Sequence, residues 1–371
     1  MALAGLPSKM LSVELAVMVL VLLAMAQQSM QLSLRSPLPE VVKKINGNTV
    51  SYLGIVVSSS GSEDALLNSG FFVPSTHVPY IDLVGRRFNI GKIKGVHVVV
   101  VNVGGEIPNV VLGTQVLFDL LTIRGIIHFG SAGSVSDSLS LGDVAVPASV
   151  AFTGNWEWKS NTSKRGKLKF GDFNLPQKGA NSLGSADFQK VKLYTAGNPS
   201  QNLLWLPVDS DWLTVASELQ GLKLQECVDE TNETNCLENT PAIVFGGRGS
   251  TADTYLKNAA YGEFLANRLN VTFVDTASAA VALVREKGKK EKLAVDFRIR
   301  HNLVTNGSCF DLHLQASLTN EVPYILFRAI SNSVIRGTSS SNSRYLATAN
   351  SVKVAVKFIE LIGTSNSVFK Y

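Results

Sequence analysis

The sequence predicts an α/β fold, a single domain in which helices flank a twisted, mixed and mostly parallel sheet. Short apolar segments rich in β-branched residues alternate with longer helical patterns along the chain, which is typical of such a sheet. Of the 371 residues, 45% are hydrophobic and 17% are charged. This composition excludes a disordered chain and leaves enough apolar residues for one large core.

The strongest strand signal is the valine-rich segment Val96–Val103, because a nearly continuous apolar run fits a strand buried on both faces. Pro108 begins the next helical pattern, at a position where a first helical turn tolerates proline. Further strands are predicted at Val50–Ser58, Gly125–Phe129, Asp143–Val146, Ala242–Phe245, Val271–Val274 and Tyr324–Ala329. Helices are predicted at Pro108–Leu121, Asp253–Leu269, Ala277–Val284 and Ser343–Leu361.

The first 26 residues are typical of a secretory signal peptide. Lys9 precedes an apolar run that ends in Ala24-Met25-Ala26, an A-x-A cleavage pattern. The run is too short and too interrupted for a membrane span, so we expect no stable span once the signal is removed. Secretion or delivery to a vacuole follows from this prediction, and an uncleaved membrane anchor is the alternative. Residues 27–48 are then a linker, 49–362 the domain and 363–371 a C-terminal tail.

Other features agree with the secretory route. Asn-x-Ser/Thr sequons occur at Asn161, Asn232, Asn270 and Asn306. We expect glycosylation at Asn161 and Asn232, whereas Asn270 adjoins an apolar strand and is expected to be inaccessible. Cys227 and Cys236 lie nine positions apart in a polar stretch and can close a disulfide loop in an oxidising compartment. Two free thiols are the alternative.

Two segments depart from the alternating pattern. Residues 155–240 are rich in Asn, Lys, Gly and Ser, and we interpret them as a long, loop-rich connection with little regular structure. Residues 285–316 hold seven Lys/Arg and four acidic residues, so 7 − 4 = +3 of the net charge of +5 lies there. Because removing 285–316 leaves the pattern unbroken, we interpret that segment as an insertion, such as a translated intron. A basic surface excursion is the alternative.

Several classes of chemistry lack their sequence signature. The charge outside 285–316 is near neutral, which argues against nucleic-acid binding. The sequence contains neither a phosphate-binding P-loop nor a dinucleotide-binding glycine motif after a strand, and it has no GxSxG elbow. His301, Cys309 and His313 cluster, but their spacing matches no standard zinc site. We therefore expect no metal and no cofactor.

Glycine-rich turns follow three of the predicted strands, at 104–105, 130–134 and 246–250. Small residues let backbone N–H groups approach an anion or a sugar closely. In open α/β sheets the carboxyl ends of the strands form the ligand crevice. These turns therefore predict a pocket for a polar small molecule.

A specific likeness is carried by FGSAGSVSDSLSLGDVAVP at residues 129–147. It resembles the GSAG…GD segment of the purine/uridine phosphorylase superfamily, especially of nucleosidases that act on methylthioadenosine and adenosylhomocysteine. The segments VNVGG, VDTASAAV and FRAISN, at 101–105, 274–281 and 327–332, resemble further family motifs. With the signal peptide and the Cys pair, the chain resembles the plant bark and vegetative storage proteins of this superfamily. This resemblance implies a single nucleoside phosphorylase-like domain that forms homo-oligomers.

The resemblance also implies functional residues. The implied catalytic residues are Asn332, at the place of the family's aspartate, and Glu63, which resembles the glutamate that positions water in nucleosidases. The implied ligand-binding residues, for a nucleoside or phosphate, are Gly104, Ser131, Ala132, Gly133, Asp275 and Thr276. Arg328 is expected to be a buried structural partner at a strand end.

Departures from the family pattern weaken the expected activity. An amide such as Asn332 can donate a hydrogen bond but cannot transfer a proton. The Met-Glu pair that holds the ribose falls at Thr276 and Ala277, and alanine has no hydrogen-bonding side chain. The arginine before the GSAG segment is replaced around His128. We therefore expect a storage-type nitrogen reserve with a degraded site; an active nucleoside phosphorylase or nucleosidase is the alternative, and a ligand-binding sensor is a third possibility.

Overall fold

The computed structural model describes residues 42, 45–46, 50–158, 186–193, 199–229, 235–284 and 322–364. The chain divides into two units, Met1–Val50 and Ser51–Tyr371, and of the first only residues 42, 45–46 and 50 are described. The predicted signal peptide, the segment 285–316 and the sequons at Asn161, Asn232 and Asn306 lie outside the described residues.

Six helices and eighteen strands of the second unit are described. The helices are α1 Ser60–Leu67, α2 Ile107–Leu120, α3 Ser210–Ser217, α4 Ala259–Leu269, α5 Ser278–Leu283 and α6 Ser341–Thr364. The strands are β1 Tyr52–Val57, β2 Phe72–Pro74, β3 Tyr80–Leu83, β4 Arg86–Ile93, β5 Val96–Asn102, β6 Ile123–Ser134, β7 Val144–Val146, β8 Ser149–Phe152, β9 Trp156–Trp158, β10 Ala186–Phe188, β11 Val191–Leu193, β12 Gln201–Leu203, β13 Leu206–Pro207, β14 Ile243–Phe245, β15 Arg248–Thr251, β16 Phe273–Asp275, β17 Tyr324–Ser333 and β18 Thr338–Ser339.

Fourteen strands form one mixed sheet, with β13-β8-β15-β16-β6-β1-β5-β4-β2 as its main path. The predicted parallel arrangement is confirmed for the central strands, since β1 pairs in parallel with β5 and β6, and β17 pairs in parallel with β6. Antiparallel pairings join β4 to β5 and β16 to β6. The long strand β6 therefore links the two halves of the sheet, because it pairs first with β1 and then with β16.

Each strand and helix predicted above is present, with shifts at the ends. The valine run forms β5, whose four central valines, Val98–Val101, are fully buried. The helix predicted from Asp253 begins at Ala259, after its N-cap Asn258, whose side chain accepts from Tyr261 N. Helix α6 covers the sheet with Phe358, which packs edge-on against Phe327 of β17 and Trp212 of α3.

The connection 155–240 holds more regular structure than the sequence predicts. Its described parts contain the strand pairs β9–β10 and β11–β12, the strand β13 and the helix α3. Asp209 caps α3 by accepting from Asp211 N and Trp212 N, and Trp212 is 1% exposed. The prediction missed α3 because this single buried indole, rather than a long amphipathic pattern, attaches the helix to the core.

A disulfide of 2.04 Å joins Cys227 to Cys236. The buried Asn350 of α6 holds the base of this loop, since its Oδ1 accepts from Gln225 N at 2.7 Å and its Nδ2 donates to Gln225 O at 3.0 Å. Asn350 Nδ2 also donates to Gly142 O at 3.1 Å. One polar side chain therefore connects the disulfide loop, the long helix and the turn before β7.

Candidate functional site

The parallel strands β1 and β5 end beside His128 of β6, whereas β6 and β17 continue past them, and most predicted site residues lie at or beyond this level. Glu63 is in the first turn of α1, directly after β1, and Gly104 follows β5. Ser131, Ala132 and Gly133 are in β6, Asp275 ends β16, Thr276 follows it, and Asn332 is near the end of β17. This region, where β6 and β17 run past β1 and β5, is called the crevice here, because it is where the sequence predicts the ligand site.

The segment 130–134 is not the turn that was predicted. It continues β6, and its residues pair with β17 from Gly130 opposite Arg328 to Ser134 opposite Ser333. Within β6, Ser131 is the exposed position, whereas Gly130 and Ala132 on either side are buried. Ser131 is therefore accessible to solvent in this segment, whereas Ala132, which was also predicted to bind a ligand, is buried.

Gly130 brings three elements close together. Its φ is +152°, and a Cβ built on it would lie 2.8 Å from Arg328 Nη1 and 3.5 Å from Ser62 Oγ. A side chain at position 130 would therefore collide with the Arg328 guanidinium. Glycine here lets the start of α1, the middle of β6 and Arg328 of β17 approach one another.

The same Arg328 guanidinium is part of a buried ion pair. Arg328 Nε is 2.9 Å from Asp275 Oδ2, and the two side chains are 1% and 4% exposed. Asp275 Oδ2 also accepts from Ser278 Oγ at 2.5 Å, and Oδ1 accepts from Thr251 Oγ1 at 2.7 Å and from the backbone N–H groups of Ala277 and Ser278 at 3.0 Å. Both carboxylate oxygens of Asp275 are therefore engaged within the protein.

The protonation of this pair follows from its partners. Burial alone raises the pKa of Asp275. The Arg328 guanidinium and the hydrogen bonds from Ser278 and Thr251 lower it by more than burial raises it, so the pKa lies below its ordinary value. Asp275 is therefore a carboxylate at neutral pH and neutralises Arg328. Its position at the start of α5 also lets it accept from the N-terminal N–H groups of that helix.

His128 completes the cluster as a neutral group. Its Nδ1 lies 2.7 Å from Val56 O, and its Nε2 contacts the Arg328 guanidinium. Burial and the charge of Arg328 lower the pKa of His128 from 6.5 to about 3. Since Val56 O can only accept, Nδ1 carries the proton and Nε2 accepts from Arg328. The residue at the place of the family's arginine is therefore uncharged and fully buried.

Asn332 lies over Gly133 at the end of β17. It is half-buried, and a Cβ built on Gly133 would lie 3.0 Å from Asn332 Nδ2. Ser331 Oγ donates to Asn332 Oδ1 at 3.1 Å. The pairing of β17 with β6 shifts by one residue between Ile330 and Asn332, which places Asn332 opposite Gly133. The amide therefore occupies the crevice edge with its oxygen already accepting a hydrogen bond.

The glycine turn after β5 meets the start of α5. Gly104 has a φ of +80°, and a Cβ built on Gly105 would lie 3.3 Å from Thr276 Oγ1. Ala277, the next residue, is fully buried and offers only a methyl group. Gly105, the neighbour of the predicted Gly104, therefore lies close to Thr276, and position 277 adds no acidic side chain there.

Glu63, the other predicted catalytic residue, lies in the first turn of α1. It is half-buried in α1, and its Oε1 accepts from Asn89 Nδ2 at 3.0 Å. Asn89 is on β4 and is 9% exposed. The carboxylate is thus held in one orientation by a neighbouring strand.

Sequence reasoning missed several polar residues of the buried cluster. Thr251, Ser278 and Ser62 are buried hydroxyl residues, and all three follow or end a short strand or open a helix. The available signal was a histidine inside the apolar run IIHF together with an arginine inside ILFRAIS. Charged or titratable residues inside buried strands need partners, so these two positions indicate a buried polar network.

Other kinds of site are absent from the described part of the chain. No group of three or more His, Cys, Asp or Glu residues there can hold a metal ion. None of the helices described is long and apolar enough to cross a bilayer. A separate open cavity of about 670 Å³ lies between α3 and β14, lined by Leu213, Ser217, Gln220, Val244 and Phe245 among others. It contains none of the predicted site residues.

Comparisons with known proteins place this geometry in context. The profile of the phosphorylase superfamily matches residues 52–285. Bark storage proteins A and B of Populus deltoides are each 37% identical to this chain over 344 residues, which is 92% of this chain and 98% of each relative. The fold is similar to that of 5'-methylthioadenosine/S-adenosylhomocysteine nucleosidase from S. pneumoniae, solved with the transition-state inhibitor MT-ImmA. That structure has a TM-score of 0.51 and 16% identity, and the match covers 84% of this chain and 99% of that one.

Proposed function

Because this chain belongs to the phosphorylase superfamily, we propose that it is a storage-type protein built on the superfamily fold, with a degraded nucleoside-cleaving site. Its role is that of a nitrogen reserve, and its likeness to the two bark storage proteins along nearly their whole length supports this role. Residues at the places of the family's site lie on neighbouring strands and turns, but three of these positions lack the groups that cleavage requires.

The single observation that carries the proposal is the engagement of Asp275. Its two oxygens accept five hydrogen bonds or ionic contacts from Thr251, Ala277, Ser278 and Arg328. A carboxylate in this state cannot also hold the hydroxyls of a ribose. The neighbouring Ala277 has only a methyl group, so the sugar would lose a charge-assisted partner of roughly 1.5–3 kcal/mol for each bond.

The site also lacks a proton donor for the leaving base at position 332. Cleavage of an N-glycosidic bond leaves negative charge on the base, and a group that transfers a proton to it lowers the barrier. Asn332 can donate a hydrogen bond from Nδ2 but has no proton to transfer. An amide there supports binding of a base more than cleavage.

Phosphate has no arginine clamp at the position where the family places one. His128 is neutral and buried between Val56 O and Arg328, and Arg328 is itself held by Asp275. Phosphorolysis is therefore less favoured than hydrolysis for any activity that remains.

The alternative is a working nucleosidase. Two observations favour it, namely the exposed Ser131 in the crevice wall and the half-buried Glu63 held by Asn89. Together they would contact a ribose oxygen and position a water. We rank this second because neither residue replaces the missing acid at 277 or 332.

We propose a secretory route that ends in a vacuole or outside the cell, with removal of residues 1–26, and a homo-oligomeric state. The end of the family match at residue 285 supports the interpretation of 285–316 as an insertion, because it coincides with the start of that basic segment.

The test is a base-release assay. Purified mature protein is incubated with inosine, adenosine, uridine and methylthioadenosine, with and without phosphate, and free base is followed by chromatography. No release above that of a Ser131→Ala and Glu63→Gln double variant purified in parallel is expected. Release on the order of 1 s⁻¹ or more, lost in that variant, would reject the storage-only proposal in favour of the enzyme. Binding without release would favour a sensor.

A further inference from the structure

The sequon Asn270-Val271-Thr272 lies where the fold exposes its asparagine. Asn270 ends α4 in the left-handed conformation, with φ 55° and ψ 40°, and its side chain is exposed. Val271 is 1% exposed, so the chain turns from the surface into the core between these two residues. The expectation that Asn270 is inaccessible is therefore wrong, because the left-handed cap separates it from the apolar strand that follows.

The fold does not use the carboxamide of Asn270. The backbone N–H forms the cap by donating to Ala266 O at 2.9 Å. Asparagine suits this position because, after glycine, it tolerates the left-handed conformation best. Its side chain makes no hydrogen bond to any residue that the structure describes, so Nδ2 can carry a substituent without loss of a contact.

A substituent at Asn270 has room and stays away from the crevice. Asn267 and Arg268 beside it are exposed, as is Gly246 in the turn between β14 and β15. Strand β16 runs from this end of the sheet to Asp275, five residues further on, so the two ends are up to about 16 Å apart at roughly 3.3 Å for each residue. A large group on Asn270 would cover the α4 end of the domain.

We propose that Asn270 carries an N-linked oligosaccharide, an inference that rests on the secretory route proposed above. The donor is an oligosaccharide on a lipid pyrophosphate. Nδ2 of Asn270 attacks the anomeric carbon, a new N–C bond forms, and the C–O bond to the pyrophosphate breaks. The lipid pyrophosphate leaves with the electron pair, and one amide proton is released. Thr272 completes the sequon before β16 forms, because in the folded protein its Oγ1 donates to Arg248 O at 3.3 Å.

The experiment uses the full chain expressed in plant cells. The purified protein is treated with peptide-N-glycosidase A in heavy-oxygen water, and its peptides are analysed by mass spectrometry. The expected result is an isotope-labelled aspartate at position 270, produced from the glycosylated asparagine. Intact Asn270→Gly and Thr272→Val variants should each lose the mass of one glycan, whereas Thr272→Ser should keep it. Glycine adopts the left-handed cap readily, so Asn270→Gly removes the acceptor without disturbing the fold.

The N-terminus of the same sample separates the two proposals. A chain that begins near Gln27 but has an unmodified Asn270 overturns the glycosylation site and leaves the secretory route standing. A chain that retains Met1 and has no glycan overturns both. The isotope label at position 270 in a chain processed near Gln27 supports both.

Discussion

Arg328 and Asp275 form a buried ion pair, with Arg328 Nε 2.9 Å from Asp275 Oδ2. One residue comes from the middle of β17 and the other from the end of β16, so the pair connects two strands that do not pair with each other. The pair keeps a charged arginine in the core and at the same time occupies the carboxylate of Asp275. The same contact therefore neutralises the buried arginine and, in the function proposed above, keeps Asp275 from binding a ligand.

Asp275→Asn should destabilise the protein by roughly 3–5 kcal/mol, because it leaves a buried guanidinium without its counter-charge. Urea unfolding followed by circular dichroism measures the change. Asp82→Asn is the matched control, since Asp82 pairs with Arg87 at 2.8 Å on the surface, where both side chains are more than half exposed. Its unfolding midpoint should stay close to that of the wild type. Equal losses in the two variants would contradict the structural role given to Asp275.

The stability should fall on acidification because of His128. Its pKa is about 3 when folded and near 6.5 when unfolded, so between these values the unfolded chain binds one more proton. Stability is therefore highest above pH 6.5 and declines as the pH falls towards 3, by up to about 1.4 kcal/mol for each pH unit from this group. Asp275, whose pKa is lowered by folding, adds a loss only below its ordinary value of 3.8.

Unfolding free energies at pH 7, 6, 5 and 4 measure this dependence. In His128→Gln the slope between pH 6.5 and 4 should be smaller by close to one proton, because the amide does not titrate. The same slope in both proteins would show that His128 is not the group responsible.

Gly130→Ala should destabilise the protein by about 1–3 kcal/mol, because the new methyl group would lie 2.8 Å from Arg328 Nη1 and the backbone there has φ +152°. Gly61→Ala in α1 is the control, since a Cβ there meets nothing within 4 Å and alanine favours a helix. Thermal unfolding of the two variants should shift in opposite directions. A neutral Gly130→Ala would show that Arg328 can move aside.

Much of the fold could be predicted from the sequence, because the sequence of a buried strand such as β5 is a continuous apolar run. The extension of β6 through GSAGS could not, since glycine and serine have low strand propensity and the pairing with β17 holds them extended. Likewise His128 and Arg328 are 200 positions apart, and only the parallel register of β6 and β17 brings them together. Local sequence patterns predict the individual strands and helices, whereas the set of residues that meet at the site depends on the pairing register between strands.

Restoring two acids should restore cleavage if the site is degraded only there. Asn332→Asp combined with Ala277→Glu supplies a proton donor for the base and a partner for the ribose. We expect base release at least about tenfold above the wild type, within the range that general acid catalysis provides. Asn332→Asp with Ala277→Gln is the control that adds the same bulk without the second charge. Because Ala277 is fully buried, circular dichroism must first show that both variants fold. A folded double-acid variant with no gain would place the defect elsewhere in the crevice.

Asn350→Ala should lower the free energy of unfolding by about 2–4 kcal/mol, because the buried carbonyl of Gly142 and two half-buried backbone groups of Gln225 would lose their partner. The same change should loosen the base of the Cys227–Cys236 loop, so the disulfide should be reduced faster by a given concentration of thiol. Thr348→Ala, two residues away on α6, removes only an exposed hydroxyl bonded within the helix and serves as control. Urea unfolding measures the first effect, and thiol titration over time the second. If Asn350→Ala loses stability but its disulfide is reduced at the wild-type rate, the loop is held by contacts other than Gln225, and Asn350 supports the core alone.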